Sequence, residues 1–434
     1  MPQAMGGMEI YTHTLALYQK NEGHEVGVIN PHIDYYRPGQ IKEHYTFEGI
    51  DVYQFPETGN PTDRELLYGN KKPSGIRNFV SIITKLNPDI IHFHELNRSL
   101  GFTLEHIRAL KPLGKKIFLT MHLPFFSCNT NVLVYGHKLC DGIIHTYRCS
   151  ECSYQTLFNV PAFFSKPLAK LSLGAAQATI TANLPSGKVK TLLSVPSTIK
   201  RIKSELQELS EHVTQLISLN NWYKDILIKN GVPEHKITIV PQGFTCFRKK
   251  ETQDIKLTAA LPIKIVFVGR IQPLKGIHLL IHAIKPFSSQ QVQVDIYGKI
   301  ENEEYYQQCL DDSSELNSIC WKGEIGREEV ITQLGNYHIL CLPSITSEMS
   351  PLVIQEAFAA GLPVLASKVY GNMDQVKDGY NGLLFDFNST QSLYKKIRIL
   401  VENPMIINEM KNNVRPPLDF ATVHTSYLKL YQSS

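Results

Sequence analysis

No apolar run in these 434 residues is long enough to span a membrane, and the opening MPQAMGGMEI lacks the basic, apolar and cleavage regions of a signal peptide. The cytoplasm is therefore the expected location. Cysteine is sparse: eight residues in so long a chain do not make a disulfide scaffold, so reduced thiols are expected. Charge of one sign is also scarce. A net charge of +4 is too small to indicate nucleic-acid binding. The excess lies in residues 1–244, with 25 Lys and Arg against 20 Asp and Glu, whereas residues 245–434 carry 19 against 20. Such a half could rest on an anionic membrane, hold an acidic acceptor, or simply be a solvated surface. No internal repeat, low-complexity tract or Asp-x-Asp pair occurs. What is there, 43% hydrophobic and 19% charged residues, describes a globular chain with room for two or three domains.

The most informative stretch is 347–367, SEMSPLVIQEAFAAGLPVLAS. It reads as a loop, a short helix and a buried strand: Ser350 as N-cap, Pro351 at the first helical position, Gly361 ending the helix, and a strand over 363–366. Glu348 then sits in the loop and Glu356 about a turn and a half inside the helix. Both can border one crevice above a sheet. That crevice also receives the amides of Ser350, Leu352, Val353 and their neighbours, which suit an anion or sugar hydroxyls.

Near the start, Gly6-Gly7 precedes a helical pattern in which Ile10, Tyr11, Thr14, Leu15 and Tyr18 share a face. A glycine pair at a helix start lets backbone approach a phosphate closely. Short strands at 90–93 and 116–120 are followed by His94-Glu95 and Met121-His122. Residues just past strand C-termini line the ligand crevice of a doubly wound sheet, which places His94, Glu95 and His122 there. Taken alone, His122 also reads as a satisfied structural histidine. Cys128, Cys140, Cys149 and Cys152 follow in one loop, and could hold zinc tetrahedrally, or be plain buried thiols or a redox-labile loop. A four-cysteine set leaves no open position for a catalytic metal. The segment 188–203, with Lys188, Lys190, Lys200, Arg201 and Lys203, could face a membrane, an acidic acceptor or solvent. After a turn at 241–244, the apolar run 263–268 suits a central parallel strand and leads into GRIQPLKG and a helix over 277–284. Arg270, Lys275 and free amides converge there in the way a diphosphate needs.

In combination these motifs resemble family 4 of the retaining glycosyltransferases. Glu348 and Glu356 match the E-x7-E element within E-x-S-P-L-V-I-x-E-A-x-A-x-G-x-P-V, and Arg270 and Lys275 match the G-R-x-x-x-x-K-G pair. Gly6-Gly7 resembles the N-terminal glycine loop, and His122 the histidine after its strand. The resemblance covers nearly the whole chain. It implies an α/β fold of the GT-B type, two Rossmann-like domains facing each other across a cleft. An acceptor-side domain would take 1–244, with its cysteine-rich loop at 128–152; a nucleotide-sugar domain would take 245–415; and a C-terminal helix at 416–434 would cross back. The strand that normally precedes the glycine loop is expected to be missing, because the chain begins almost at the loop. Tyr337-His338 stands where an aspartate is usual, and Tyr370-Gly371 where a glycine pair is common.

The implied reaction is transfer of a sugar from a nucleotide diphosphate donor to an acceptor hydroxyl with retention of anomeric configuration. The setting would be surface polysaccharide or glycolipid biosynthesis, with a glycan or lipid-linked acceptor and peripheral contact with the membrane. By the same resemblance Gly6, Gly7, Arg270 and Lys275 hold the diphosphate and Glu356 the ribose. Glu348 holds the sugar together with the amides around Ser350, Pro351, Leu352 and Val353, and His122 touches sugar or phosphate. No catalytic metal is expected, and structural zinc at the cysteine loop stays one of the open readings. A non-catalytic sugar-nucleotide binder, or a GT-B epimerase or phosphorylase, shares the architecture; the two glutamates and the Arg/Lys pair favour a transferase.

Overall fold

The computed structural model describes residues 7–33, 36, 39, 41–60, 71–98, 100–177, 184, 185, 187–244 and 262–433. Gly6 and the strand expected over 178–181 lie outside them. The chain forms two compact units. One takes Met1–Gly136, Cys140–Pro241 and Phe420–Ser434; the other takes Gln242–Asp419 with His137–Leu139. The passage at 241/242 falls inside the turn 241–244.

The second unit is built on a six-stranded sheet that is parallel throughout. In spatial order its strands are Ile319–Gly323, Val292–Tyr297, Ile263–Val268, Ile339–Leu342, Val364–Ser367 and Gly382–Phe385. A parallel strand covered on both faces reads as a continuous apolar run, which is what 263–268 and 339–342 show. On one face Ile265 and Phe267 pack with the helices Ile277–Ile284 and Thr390–Glu402; on the other Val266, Leu340 and Leu342 pack with Leu334, Ile354 and Phe358. Strand order reverses between Ile263–Val268 and Ile339–Leu342, which are neighbours in the sheet. Such a switch point opens a crevice beyond the strands' carboxyl ends. The loops that leave there are 269–276 and 343–351.

The first unit holds two sheets. Strands Ile90–His94, Lys116–Met121, Gln215–Ser218 and Ile237–Ile239 form a parallel four-stranded sheet. Gly27–Ile33 pairs in parallel with Ile50–Glu57, which in turn pairs antiparallel with His44–Phe47. Glu48 and Gly49, both at positive φ, make the two-residue turn of that hairpin. Among the described residues, no strand pairs with the second edge of either Gly27–Ile33 or Ile90–His94. The helix Phe420–Ser433 completes this unit: Phe420, Val423, Tyr427 and Tyr431 share a core with Tyr11, Leu15, Phe118 and Ile217.

Candidate functional site

Geometry at the switch point of the second unit begins with a glycine. Gly276 has φ +69°, and a Cβ there would lie 2.0 Å from the carbonyl oxygen of Pro343, so only glycine lets loop 269–276 lie against loop 343–351. The two loops are stitched together by Ile345 N–H donating to the Leu274 carbonyl at 3.0 Å. Lys275 is thereby delivered to Glu348: its Nζ donates to Oε1 at 2.5 Å, and Ser344 Oγ donates to the same oxygen at 2.9 Å. Burial would raise the Glu348 carboxyl, but the Lys275 ion pair, the Ser344 hydroxyl and the charge of Arg270 outweigh it and hold it below the usual carboxylate range. Behind the loop, Gly371 packs so closely that a Cβ would fall 2.1 Å from the Glu348 carbonyl oxygen. The glycine of Tyr370-Gly371 thus fixes the backbone that carries the carboxylate.

Arg270 is 60% exposed and reaches Glu301 at 3.2 Å, a surface pair that an anionic ligand can outcompete. The helix Leu352–Ala359 begins one residue later than the sequence suggests. Pro351, not Ser350, takes the N-cap, and no side chain caps the helix, because Pro351 has no hydroxyl or carboxylate to offer the first-turn amides. Glu356, one turn in, is only partly covered; burial raises its carboxyl and Arg327 pulls it back. Arg327 opens the neighbouring helix Arg327–Leu334 and was not singled out by the sequence. Tyr337-His338 also acquires a role: Tyr337 OH donates to Asp295 Oδ2 at 2.7 Å, and His338 Nδ1 accepts from Lys264 N–H at 2.9 Å.

In the first unit, Gly7 opens the helix Gly7–Asn21. One turn on, Tyr11 packs edge-on against His122, with ring centroids 5.1 Å apart, and lies 5.8 Å from His94. His94 Nδ1 and His122 Nε2 are 3.3 Å apart. Burial lowers all three neighbouring histidines, His92 and His122 to about 3 and His94 well below its ordinary value, so the imidazoles are neutral near pH 7. Glu95 does not reach a crevice. At φ +72° its side chain turns back, and Oε2 accepts from the amides of His122 (2.7 Å) and Leu123 (2.6 Å). Burial pushes the Glu95 carboxyl up to about 8 against the pull of those amides and of Leu96. His92 was missed by the sequence reading. Its alternation with His94 along the strand Ile90–His94, which puts both on one face, was the available signal.

At the cysteine loop the thiols of Cys128, Cys140, Cys149 and Cys152 lie close enough to feel one another's charge. Among the described residues, no three His, Cys, Asp or Glu side chains group as a metal requires. Cys128 Sγ lies 3.2 Å from Thr130 Oγ1, Cys149 Sγ accepts from the His145 amide, and Cys152 Sγ donates to the Val134 carbonyl. Burial raises the thiols of Cys140 to about 11 and Cys152 to about 12, which keeps them protonated near pH 7.

Two family models match the chain: Glycosyl transferases group 1 over residues 249–416 and Glycosyltransferase Family 4 over residues 5–153. Over 40% of its length the chain is 30% identical to a lipopolysaccharide 1,2-N-acetylglucosaminetransferase of Salmonella typhimurium, covering 49% of that protein. Over 46% of its length it is 28% identical to the Escherichia coli UDP-Gal:alpha-D-GlcNAc-diphosphoundecaprenol alpha-1,3-galactosyltransferase, covering 54% of it. The chain thus spans about half the length of these curated relatives. Among solved structures, the sucrose-phosphate synthase of Thermosynechococcus elongatus aligns over 99% of this chain and 93% of its own, with a TM-score of 0.64 and 16% identity. That likeness shows the GT-B fold with its two Rossmann-like domains. Its two family matches between them take in most of the sequence and meet the glutamate pair and the Arg/Lys loop described above, and the chain belongs to the family 4 glycosyltransferases.

Proposed function

We propose that this chain transfers a sugar from a nucleotide diphosphate donor to an acceptor hydroxyl, with retention of anomeric configuration, during assembly of a surface polysaccharide or glycolipid. The observation that carries the reading is the Lys275–Glu348 pair at the switch point of the second unit, with Arg270 within electrostatic reach. A cation already ordered by a carboxylate costs little to reorganise when a diphosphate arrives. Breaking the glycosyl–phosphate bond builds negative charge on the leaving diphosphate, and Arg270 and Lys275 stabilise it there. These two fixed cations serve in place of a catalytic metal.

Glu348, with the first-turn amides of the helix Leu352–Ala359, takes hydroxyls of the donor sugar, and Glu356 takes the ribose hydroxyls. The family resemblance assigns His122 a contact with sugar or phosphate and the Gly6-Gly7 amides a place on the phosphates. A neutral His122 suits hydrogen bonding to a hydroxyl better than charge neutralisation. The lipid-diphosphate-linked acceptor named in one relative and the lipopolysaccharide named in the other support a glycan or lipid-linked acceptor.

The test is release of nucleoside diphosphate from a panel of nucleotide sugars, with and without EDTA. Release that resists EDTA and falls by about a hundredfold or more in Arg270→Ala, a loss of the size seen when one preorganised donor to a developing anion is removed, bears the reading out. Folded protein that binds nucleotide but never releases diphosphate, with any acceptor supplied, overturns it in favour of a binding protein.

A further inference from the structure

The helix Ala162–Gln177 of the first unit is inside out for a water-facing surface. The side it buries is small: Ser165, Ala169 and Ser172, spaced by four and three, with Ala169 in a core beside Tyr154 and Ile199. The side it shows is large and apolar, with Phe163 82%, Phe164 59% and Leu171 66% exposed. At 3.6 residues per turn, Phe163, Pro167, Leu171 and Phe164 fall on one stripe, and exposed Lys166 and Lys170 flank it. An amphipathic helix on a globular protein normally presents the opposite pattern. Two of the helices packed against this one also expose an apolar residue, Leu157 on Thr146–Leu157 and Val189 on Lys188–Leu193. Single exposed apolar residues need no account, but a stripe of them on one helix, with the Phe163 and Phe164 rings 5.2 Å apart, does.

Charge identifies what covers it. From Cys152 to Ser204 the chain has seven Lys and Arg residues and no Asp or Glu, although the whole protein carries only +4. A second copy of the same face would bring like charges together. No described helix is long and apolar enough to cross a membrane, and an exposed apolar stripe beside lysines has the make-up of a helix that lies in a bilayer's interface. We propose that the helix Ala162–Gln177 docks in the plane of an anionic lipid bilayer, with Phe163, Phe164 and Leu171 at the acyl boundary and Lys166, Lys170 and Lys188 among the headgroups. This docking is independent of the donor chemistry.

The full chain is sedimented with vesicles of phosphatidylcholine alone and of phosphatidylcholine mixed with phosphatidylglycerol. Partitioning onto the mixed vesicles is expected, weakening with salt. The Phe163→Ser, Phe164→Ser double variant should lose roughly tenfold or more, since each ring gives up apolar burial. Lys166→Gln and Lys170→Gln should each lose about fivefold. Because all four positions are exposed, UDP binding should be unchanged in the variants, which verifies their fold. Equal partitioning of parent and double variant overturns the proposal. So does a parent that ignores both vesicles but forms a dimer that the double variant abolishes, for then a second copy covers the patch. Diphosphate release without vesicle binding would sink this proposal alone, and vesicle binding without release would sink only the transferase reading.

Discussion

Lys275 and Glu348 are covered enough for their pairing to matter, with side chains 15% and 18% exposed. Lys275→Met leaves a half-buried carboxylate facing only Ser344 and distant Arg270, which should cost on the order of 2 kcal/mol in urea unfolding. Adding Glu348→Gln should restore part of that loss while donor cleavage stays abolished; a double variant no more stable than the single one would show that the pair is not coupled. Glu95 offers a second test, through pH. Its folded carboxyl lies near 8, above the ordinary carboxylate value, so the native state holds a proton the unfolded chain has released. Stability from this group therefore falls as pH rises toward 8. The histidines act in the opposite sense and lower down: His92, His94 and His122 stay neutral when folded, so the unfolded chain gains protons first as pH drops below about 6.5 and stability falls with acidification. From pH 6.5 to 8 the unfolded imidazoles shed their remaining protons, which should stabilise Glu95→Gln by roughly 1 kcal/mol, whereas the parent, opposed by Glu95, should fall about 1–2 kcal/mol behind the variant across that window. Parallel urea midpoints for the two proteins from pH 6.5 to 8 would refute the assignment.

Elements are where local sequence and distant packing part company. The helix Phe420–Ser433 is legible as amphipathic, but its function in the fold is not: Tyr431 OH sits 2.6 Å from His92 Nδ1, His92 Nε2 2.8 Å from Thr120 Oγ1, Thr120 Oγ1 3.0 Å from Tyr427 OH, and Tyr427 OH 2.8 Å from Tyr11 OH. This chain joins residues up to 416 positions apart, and no pattern within a window can announce it. Tyr431→Phe removes one buried hydroxyl and strands His92 Nδ1, so the thermal midpoint should drop by the equivalent of about 1–3 kcal/mol. An unchanged midpoint would mean the hydroxyl chain contributes nothing. Strands covered on both faces were the most readable elements, since Ile263–Val268 and Ile339–Leu342 announce themselves as apolar runs. The hairpin of His44–Phe47 and Ile50–Glu57 went unread, its alternation short and interrupted by Pro56. At the candidate site Glu348 and Lys275 were each legible from local motif, 73 residues apart, but their bond depends on Gly276 meeting the Pro343 backbone. At the cysteine loop, the four thiols were legible from composition, and the fold brings them close enough to feel one another's charge.

At the scale of the whole molecule, the chain passes between its two units at 136/137, 139/140, 241/242 and 419/420, and every proposed diphosphate cation lies in the second unit. Ligand binding stabilises the native state by RT ln(1 + [L]/Kd), which at a hundredfold excess over Kd is about 2.7 kcal/mol. That stabilisation is distributed locally in hydrogen exchange, because segments that open without unfolding the whole are protected only if they touch the ligand or close over it. UDP, which keeps the diphosphate and ribose but not the sugar, is therefore expected to slow exchange chiefly in loop 269–276 and in 344–356. The first two turns of the helix Gly7–Asn21 should respond only if the glycine amides reach the phosphates, while the sheet Ile90–His94, Lys116–Met121 and Gln215–Ser218 should keep its rates. Lys275→Met should erase the effect in both loops together, since one side chain serves both. Protection confined to the first unit, with 269–276 unchanged, would remove the second unit from donor binding and with it the role assigned to the glutamate pair.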